Sequence, residues 1–115
     1  MSHEKAERPW GTYEVLYDGD DCKVKKIVIH PGQNPSYQYH HKRREHWIMV
    51  AGKGKARIND ELVPVTAGDV VDVPMLARHT IVNDSEEDLV FIEIQTGTYF
   101  GEDDIVRLED KYGRA

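Results

Sequence analysis

The sequence predicts an all-β fold, either a small sandwich or a barrel. Turn-forming residues recur about every 8–12 residues, and short runs rich in Val, Ile, Tyr and Trp lie between them. Pro64 and Pro74 argue against a helical alternative, because proline belongs at strand ends or edges. The sequence contains no internal repeat, so these strands are expected to share one core.

Nine strands are predicted, each bounded by turns containing Gly, Asn, Asp or Pro. They cover residues 13–17, 23–30, 36–40, 45–51, 55–58, 61–65, 69–73, 79–82 and 89–95. One helix is predicted after them. Ile105, Leu108 and Tyr112 recur with helical spacing, and the acidic residues 102–104 before them suit a helix N-terminus. The expected fold is therefore all-β with a short C-terminal helix.

Length and composition exclude several classes of protein. At 115 residues, the chain is expected to form one domain covering residues 1–115. With 21 acidic residues against 15 Lys and Arg, the net charge is -6, which argues against nucleic acid as a partner. No apolar run approaches the ~20 residues that span a bilayer, so no membrane partner is expected. Residues 1–9 resemble no secretory signal, and Cys22 is the single cysteine, which together predict a cytoplasmic location.

Four polar residues lie where predicted strands could bring them together. Gln38 and His40 are two residues apart and share one face of a strand, whereas Glu45 and His79 each open a later strand. If these faces point into a barrel, the four side chains can converge. An amide oxygen, two imidazoles and a carboxylate suit a divalent transition metal such as Zn, Mn, Co, Ni or Fe, with positions left for water or substrate.

The spacing around these residues forms two motifs. The first is Gly32-x5-Gln38-x-His40-x4-Glu45-x6-Gly52, and the second is Gly68-x5-Pro74-x4-His79-x3-Asn83. Both resemble the motifs of the cupin superfamily, with glutamine at the first histidine position and Leu76 at a glycine position. The resemblance implies a small double-stranded β-helix, also called a cupin or jelly-roll barrel.

Longer strings narrow the resemblance. They are Arg8-Pro-Trp-Gly-Thr-Tyr13, Gln38-x-His40-His41-x-Arg43-x-Glu45-His46-Trp47 and Gly97-Thr-Tyr-Phe-Gly-Glu-Asp-Asp-Ile-Val-Arg107. They resemble the type II mannose-6-phosphate isomerase domain, which forms the C-terminal part of bifunctional mannose-1-phosphate guanylyltransferase/isomerases. In that family glutamine usually occupies the first ligand position. The resemblance implies metal-dependent conversion of mannose 6-phosphate into fructose 6-phosphate through an enediol(ate) intermediate.

Substrate binding and proton transfer require further residues. The phosphate of a phosphosugar calls for guanidinium groups, and we expect Arg43, Arg107 and Arg78 to bind it. Arg43 is also expected to act in catalysis. The catalytic base stays open between three side chains, which are His41, His46 and Glu93.

Two other functions are compatible with the same residues. One is a metal-binding cupin of another class, such as a dioxygenase, although most of those keep histidine at the position of Gln38. The other is a non-catalytic cupin that binds a sugar phosphate, since Thr80 stands where the isomerase family often has a basic residue. The segment 8–17 could pair with a second copy of the chain, so a homodimer is expected.

Overall fold

The computed structural model describes residues 5–109. Within that range the chain forms eleven β-strands. They are β1 Lys5–Arg8, β2 Gly11–Asp18, β3 Cys22–Ile29, β4 Tyr37–Tyr39, β5 Arg43–Ala51, β6 Lys53–Ile58, β7 Glu61–Thr66, β8 Val70–Val73, β9 His79–Val82, β10 Leu89–Gly97 and β11 Val106–Glu109. Each of the nine predicted strands has a counterpart, which confirms the all-β prediction.

The strands form two antiparallel sheets that face each other. One sheet has six strands in the order β1-β2-β3-β10-β5-β8, and the other has five in the order β11-β4-β9-β6-β7. Pro64 lies in the edge strand β7 and Pro74 directly follows the edge strand β8, as expected for a residue that cannot donate to a sheet. Among residues 5–109 the structure contains no helix long and apolar enough to cross a lipid bilayer.

The predicted C-terminal helix is wrong over the described residues. Residues 106–109 form β11, which pairs with β4 so that Val106 lies opposite Tyr39 and Arg107 opposite Gln38. Helical spacing of a few apolar residues is weak evidence in so short a segment, and here backbone pairing covers the free edge of β4. Tyr112 lies outside the described residues.

Strand β1 was not predicted at all. Its sequence is polar and without alternation, and it pairs with β2 through a tight hairpin in which Arg8 lies opposite Gly11. A Cβ on Gly11 would lie 1.9 Å from the carbonyl oxygen of Val28, so this close approach of two strands requires glycine. The hairpin brings Arg8 to the end of the six-stranded sheet.

The apolar core fills the space between the two sheets. Alternation along the strands points every second side chain inward; in β5 these include Trp47 and Met49, both 2% exposed. Register then aligns Met49 with Phe91 of β10, and Phe91 with Ile27 of β3. Further along the same three strands the inward residues are Glu45, Glu93 and Lys25. The interior therefore changes from apolar to polar along the strands.

Leu76 occupies the glycine position of the second motif in a strained conformation. Its φ is +68°, in the left-handed region that costs a non-glycine residue roughly 1 kcal/mol, and its side chain is 55% exposed.

Leu76→Gly should therefore increase the free energy of unfolding by about 1 kcal/mol, because little apolar burial is lost. Chemical denaturation measures this. Met75→Gly, at a neighbour without positive φ, is the control and should destabilise; stabilisation by both variants would contradict the strain argument.

Candidate metal site and its cavity

The six-stranded sheet carries two inward rows of polar residues beside the apolar core. In the first row Glu45 of β5 lies opposite Gln95 of β10. In the second row Glu93 of β10 lies between Lys25 of β3 and Trp47 of β5. All five residues are buried, with at most 7% of their surface exposed. The inward alternation that buries apolar side chains elsewhere thus places carboxylates and an ammonium group inside the barrel.

The five-stranded sheet supplies the other side of the site. Gln38 of β4 lies directly opposite His79 of β9, and Arg107 of β11 lies opposite Gln38 on its other side. His40 follows the end of β4 and is 3% exposed. Gln38, His40 and His79 line one cavity with Glu45 from the facing sheet. The two motifs therefore meet across the space between the sheets.

Three side chains form a compact group of ligand atoms. The Nε2 atom of His40 lies 3.2 Å from Oε2 of Glu45, and the Nε2 atom of His79 lies 3.7 Å from Oε1 of the same carboxylate. One ligand atom from each of the three residues lies within 4.8 Å of the others. All three side chains are buried, so the group is shielded from bulk water.

Hydrogen bonds fix how both imidazoles are oriented. The Nδ1 atom of His40 lies 2.6 Å from the carbonyl oxygen of Asp104, and the Nδ1 atom of His79 lies 2.9 Å from that of Ala77. A carbonyl oxygen only accepts, so each Nδ1 carries a proton, and in a neutral ring Nε2 is then the nitrogen with the free lone pair. Burial lowers the pKa of His79 despite the neighbouring Glu45 carboxylate, which favours this neutral form. Such outer hydrogen bonds typically orient histidine ligands of metals.

This donor set fits a divalent transition metal. Two imidazoles and one carboxylate leave coordination positions open, and Gln38 lines the same cavity. Arg43 contacts the same atoms, with Nη2 3.1 Å from Oε2 of Glu45 and 3.2 Å from Nε2 of His40. Arg43 would give up these contacts to a bound metal.

The surroundings of Glu45 and Glu93 inside the cavity shift the pKa values of these two carboxyl groups in opposite directions. Burial alone would raise the pKa of Glu45, but His79, His40 and Arg43 together hold it well below its usual range. Burial, reinforced by the Glu45 charge, raises the pKa of Glu93 to about 8. The amide of Gln95 donates to Glu93 over 2.7 Å and orients it. Near neutral pH the Glu45 carboxyl is thus charged, whereas the Glu93 carboxyl is largely protonated.

The sequence comparison identifies the family of the chain. The family described as Mannose-6-phosphate isomerase C-terminal matches residues 1–110. The chain belongs to this family. It is 42% identical over 114 residues to mannose-1-phosphate guanylyltransferase of Salmonella montevideo, covering 99% of this chain and 24% of that enzyme. It is 43% identical over 112 residues to the xanthan biosynthesis protein XanB of Xanthomonas campestris, covering 97% of this chain and 24% of that protein.

The chain thus spans about a quarter of the length of these curated relatives of the mannose-6-phosphate isomerase C-terminal family. Its fold also matches solved structures. A conserved protein of Klebsiella pneumoniae with a double-stranded β-helix domain superposes with a TM-score of 0.74 at 21% identity, covering 84% of this chain and 82% of that chain. This likeness confirms the cupin-type barrel predicted from the two motifs.

Among the residues predicted for this member of the isomerase family, some line the cavity and others do not. Those that line it are Gln38, His40, Arg43, Glu45, His79, Glu93 and Arg107. His46 lies on the opposite face of β5 from Glu45, and its Nδ1 is 2.6 Å from Asp72. Arg78 is outside the cavity and forms an exposed ion pair of 3.0 Å with Asp60. Neither His46 nor Arg78 is positioned to act there, because strand alternation and the turn before β9 direct them outward.

Three charged residues of the cavity were missed. They are Arg8, Lys25 and Glu102. For Lys25 a signal existed, because it shares the parity of Ile27 and Ile29, both of which face the core. For Arg8 and Glu102 there was none, since β1 shows no alternation and Glu102 was assigned to a helix cap. The cavity therefore contains more charge than the sequence predicted.

Proposed function

We propose that the chain is a metal-dependent aldose–ketose isomerase that converts mannose 6-phosphate into fructose 6-phosphate. The observation that carries the proposal is the union, in one buried cavity, of a ligand group (His40, Glu45 and His79) with a separate carboxyl group, Glu93. Membership of the mannose-6-phosphate isomerase C-terminal family supports it. A divalent transition metal held by the ligand group would polarise the carbonyl and hydroxyl oxygens of the sugar at C1 and C2.

Glu93 is the proposed base; the charge of a divalent metal beside it would lower its raised pKa and favour the ionised form that accepts a proton. Glu93 is the cavity-lining carboxyl that belongs neither to the ligand group nor to a salt bridge among the described residues, and Gln95 holds it in place. In the forward direction a proton leaves C2 and one is returned to C1, while a hydroxyl proton passes from O2 to O1. The reaction is redox-neutral and requires no second substrate. One carboxyl on one face of the sugar can serve both proton transfers.

Arg43 is proposed to stabilise negative charge that develops on the sugar oxygens. Its Nε lies 3.1 Å from Oε2 of Glu45, which holds the guanidinium plane inside the cavity. Its Nη1 is buried and has no hydrogen-bond partner among the described residues. A buried guanidinium donor without a partner is costly, and an oxygen of the substrate would satisfy it. This supports the catalytic and substrate-binding roles predicted for Arg43.

The proposal is tested by supplying the purified chain with Mn²⁺, Zn²⁺, Co²⁺, Ni²⁺ or Fe²⁺ and mannose 6-phosphate. Fructose 6-phosphate should form in a metal-dependent manner and disappear when a chelator is added. Binding of mannose 6-phosphate without turnover under every metal would contradict the isomerase and favour a sugar-phosphate-binding cupin. Oxygen consumption with Fe²⁺ would favour a dioxygenase instead. The cytoplasmic location and the homodimer stay predictions.

A further inference from the structure

Two cations flank one aromatic ring at the end of the cavity that lies beside β1. The Cζ atom of Arg8 lies 5.1 Å from the centroid of the Tyr13 ring, and the Nζ atom of Lys25 lies 4.5 Å from the same centroid. Arg8 also donates from Nη2 to the Tyr13 hydroxyl over 3.2 Å. The buried Tyr13 ring thus contacts two positive charges, one on the buried Lys25 and one on the exposed Arg8.

The anion nearest to Lys25 is a carboxylate of the chain itself. Lys25 is 5% exposed, projects inward from the middle of β3, and forms a salt bridge with Glu102. The Glu102 side chain is 52% exposed, so it lies at the rim of the cavity with solvent on its other side. Burial would raise the pKa of Glu102, but Lys25 lowers it, so this carboxyl is ionised at neutral pH.

The backbone that follows Glu102 is held in place by hydrogen bonds of Asp104. The Asp104 carboxylate accepts from the backbone amides of His41 and Lys42 over 3.0 and 2.9 Å, and its carbonyl accepts from His40. The backbone is therefore tied to the ligand group, two residues beyond Glu102. A rotation of the Glu102 side chain into solvent would expose Lys25 to the cavity without moving this segment.

Cations outnumber carboxylates among the described residues that line the cavity. The cations are Arg8, Lys25, Arg43 and Arg107. The carboxylates are Glu45, Glu93 and Glu102. The cavity therefore has an excess of positive side chains, although the net charge of the whole chain is -6. Local positive charge in an acidic protein attracts a small anion to one place rather than a polyanion to the whole surface.

We propose that Lys25 and Arg8 form a binding subsite for a phosphate group, and that Glu102 occupies this subsite until the phosphate displaces it. The inference deepens the proposed function, on which it rests for the identity of the phosphosugar. The phosphate then lies at the β1 end of the cavity, and the reacting carbons of the sugar lie towards His40, Glu45 and His79. Glu102 weakens phosphate binding by competition and keeps Lys25 paired in the free chain.

The test uses the full chain after a chelator has removed any metal. Inorganic phosphate is titrated into this protein, and isothermal titration calorimetry measures the binding affinity. Lys25→Met should weaken phosphate binding by about tenfold or more, because it removes a charge-assisted contact while keeping most of the side-chain volume. Glu102→Gln should strengthen binding by roughly three- to tenfold, because it removes the competing charge. Lys26→Met, on the opposite face of β3, and Glu61→Gln, at an exposed position of β7, are the matched controls and should change nothing.

The opposite signs of the two variants decide the inference. If Lys25 and Glu102 form only a structural ion pair, Glu102→Gln leaves phosphate affinity unchanged or lowers it, and the subsite is refuted. If Lys25→Met does not fold, the sign of the Glu102→Gln effect still decides. Isomerase activity is measured separately on the metal-loaded chain. Phosphate affinities that follow the predicted signs without any turnover would uphold the subsite and reject the isomerase, whereas turnover without those signs would do the reverse.

Discussion

Replacing His79 with glutamine should strongly weaken metal binding and abolish the proposed isomerase activity. The Nε2 atom of His79 belongs to the proposed ligand group, and it is the nitrogen left to bind a metal because Nδ1 donates to the carbonyl oxygen of Ala77. The amide oxygen of glutamine is a weaker metal ligand than an imidazole nitrogen, and it lies at a different distance from the backbone. Affinity for the divalent metal should fall by roughly 100-fold or more, at least as much as the loss of an outer hydrogen bond to a ligand. Calorimetric titration with Zn²⁺ or Mn²⁺ measures this.

His46→Gln is the matched control for this variant. The same substitution is made on β5 of the other sheet, at a histidine that faces outward and pairs with Asp72. Metal affinity and turnover should stay within about twofold of the original chain, since ~0.4 kcal/mol is the scale of a surface contact. Loss of activity in His46→Gln would restore the catalytic role predicted from the sequence. Full metal affinity in the His79→Gln variant would show that His79 does not bind the metal.

Glu93→Gln should stabilise the metal-free protein at alkaline pH. The fold raises the pKa of Glu93 from an ordinary value of 4.5 to about 8, so the folded state favours the neutral form. Below pH 4.5 both states are protonated and no stability is lost. As the pH rises from 4.5 to 8 the unfolded chain ionises first, and stability declines through that window. Glutamine cannot ionise, so the variant lacks this decline.

The expected gain from Glu93→Gln is of the order of 4 kcal/mol at pH 8 and above, and close to zero at pH 4. Glutamine keeps the shape of the side chain and can still accept from Gln95. Urea denaturation of chelator-treated protein across pH 4–9 measures the difference. Glu61→Gln, at an exposed position, should leave the curve unchanged. Parallel curves for Glu93→Gln and the original chain would contradict a neutral Glu93 in the fold. Loss of isomerase activity in the same variant is expected if Glu93 is the base.

Much of the site follows from the sequence because strand alternation has a strict period of two. Once β5 is placed, Arg43, Glu45 and Trp47 must share the inward face, and His46 must point away. The same rule applied to the segment after β2 would have found Lys25. The spacing of the two motifs then brings His40 and His79 to Glu45, although β4 and β9, which position the histidines, belong to the five-stranded sheet and β5 to the six-stranded sheet. The ligand group could therefore be predicted, and the outward position of His46 was available from the same rule.

Other features depend on contacts between distant segments and could not be predicted locally. Residues 106–109 form a strand because β4 offers a free edge, and that edge exists only after the sheet has assembled. Arg8 reaches the cavity through a hairpin whose first strand has no apolar pattern. Glu102 is recognised as a partner of Lys25 only when the segment between β10 and β11 is in place. Arg78 lies next to a ligand in the sequence, yet the turn directs it to Asp60 on the surface.

The central claim is that His40, Glu45 and His79 hold a metal ion in this cavity. Its most direct test is a crystal of the chain loaded with Mn²⁺, Co²⁺ or Zn²⁺, with anomalous scattering measured on both sides of the metal's absorption edge. We expect a single strong peak about 2.0–2.3 Å from Nε2 of His40, Nε2 of His79 and a carboxylate oxygen of Glu45, with Gln38 beside it. A crystal with bound metal but no peak among these three side chains would contradict the account.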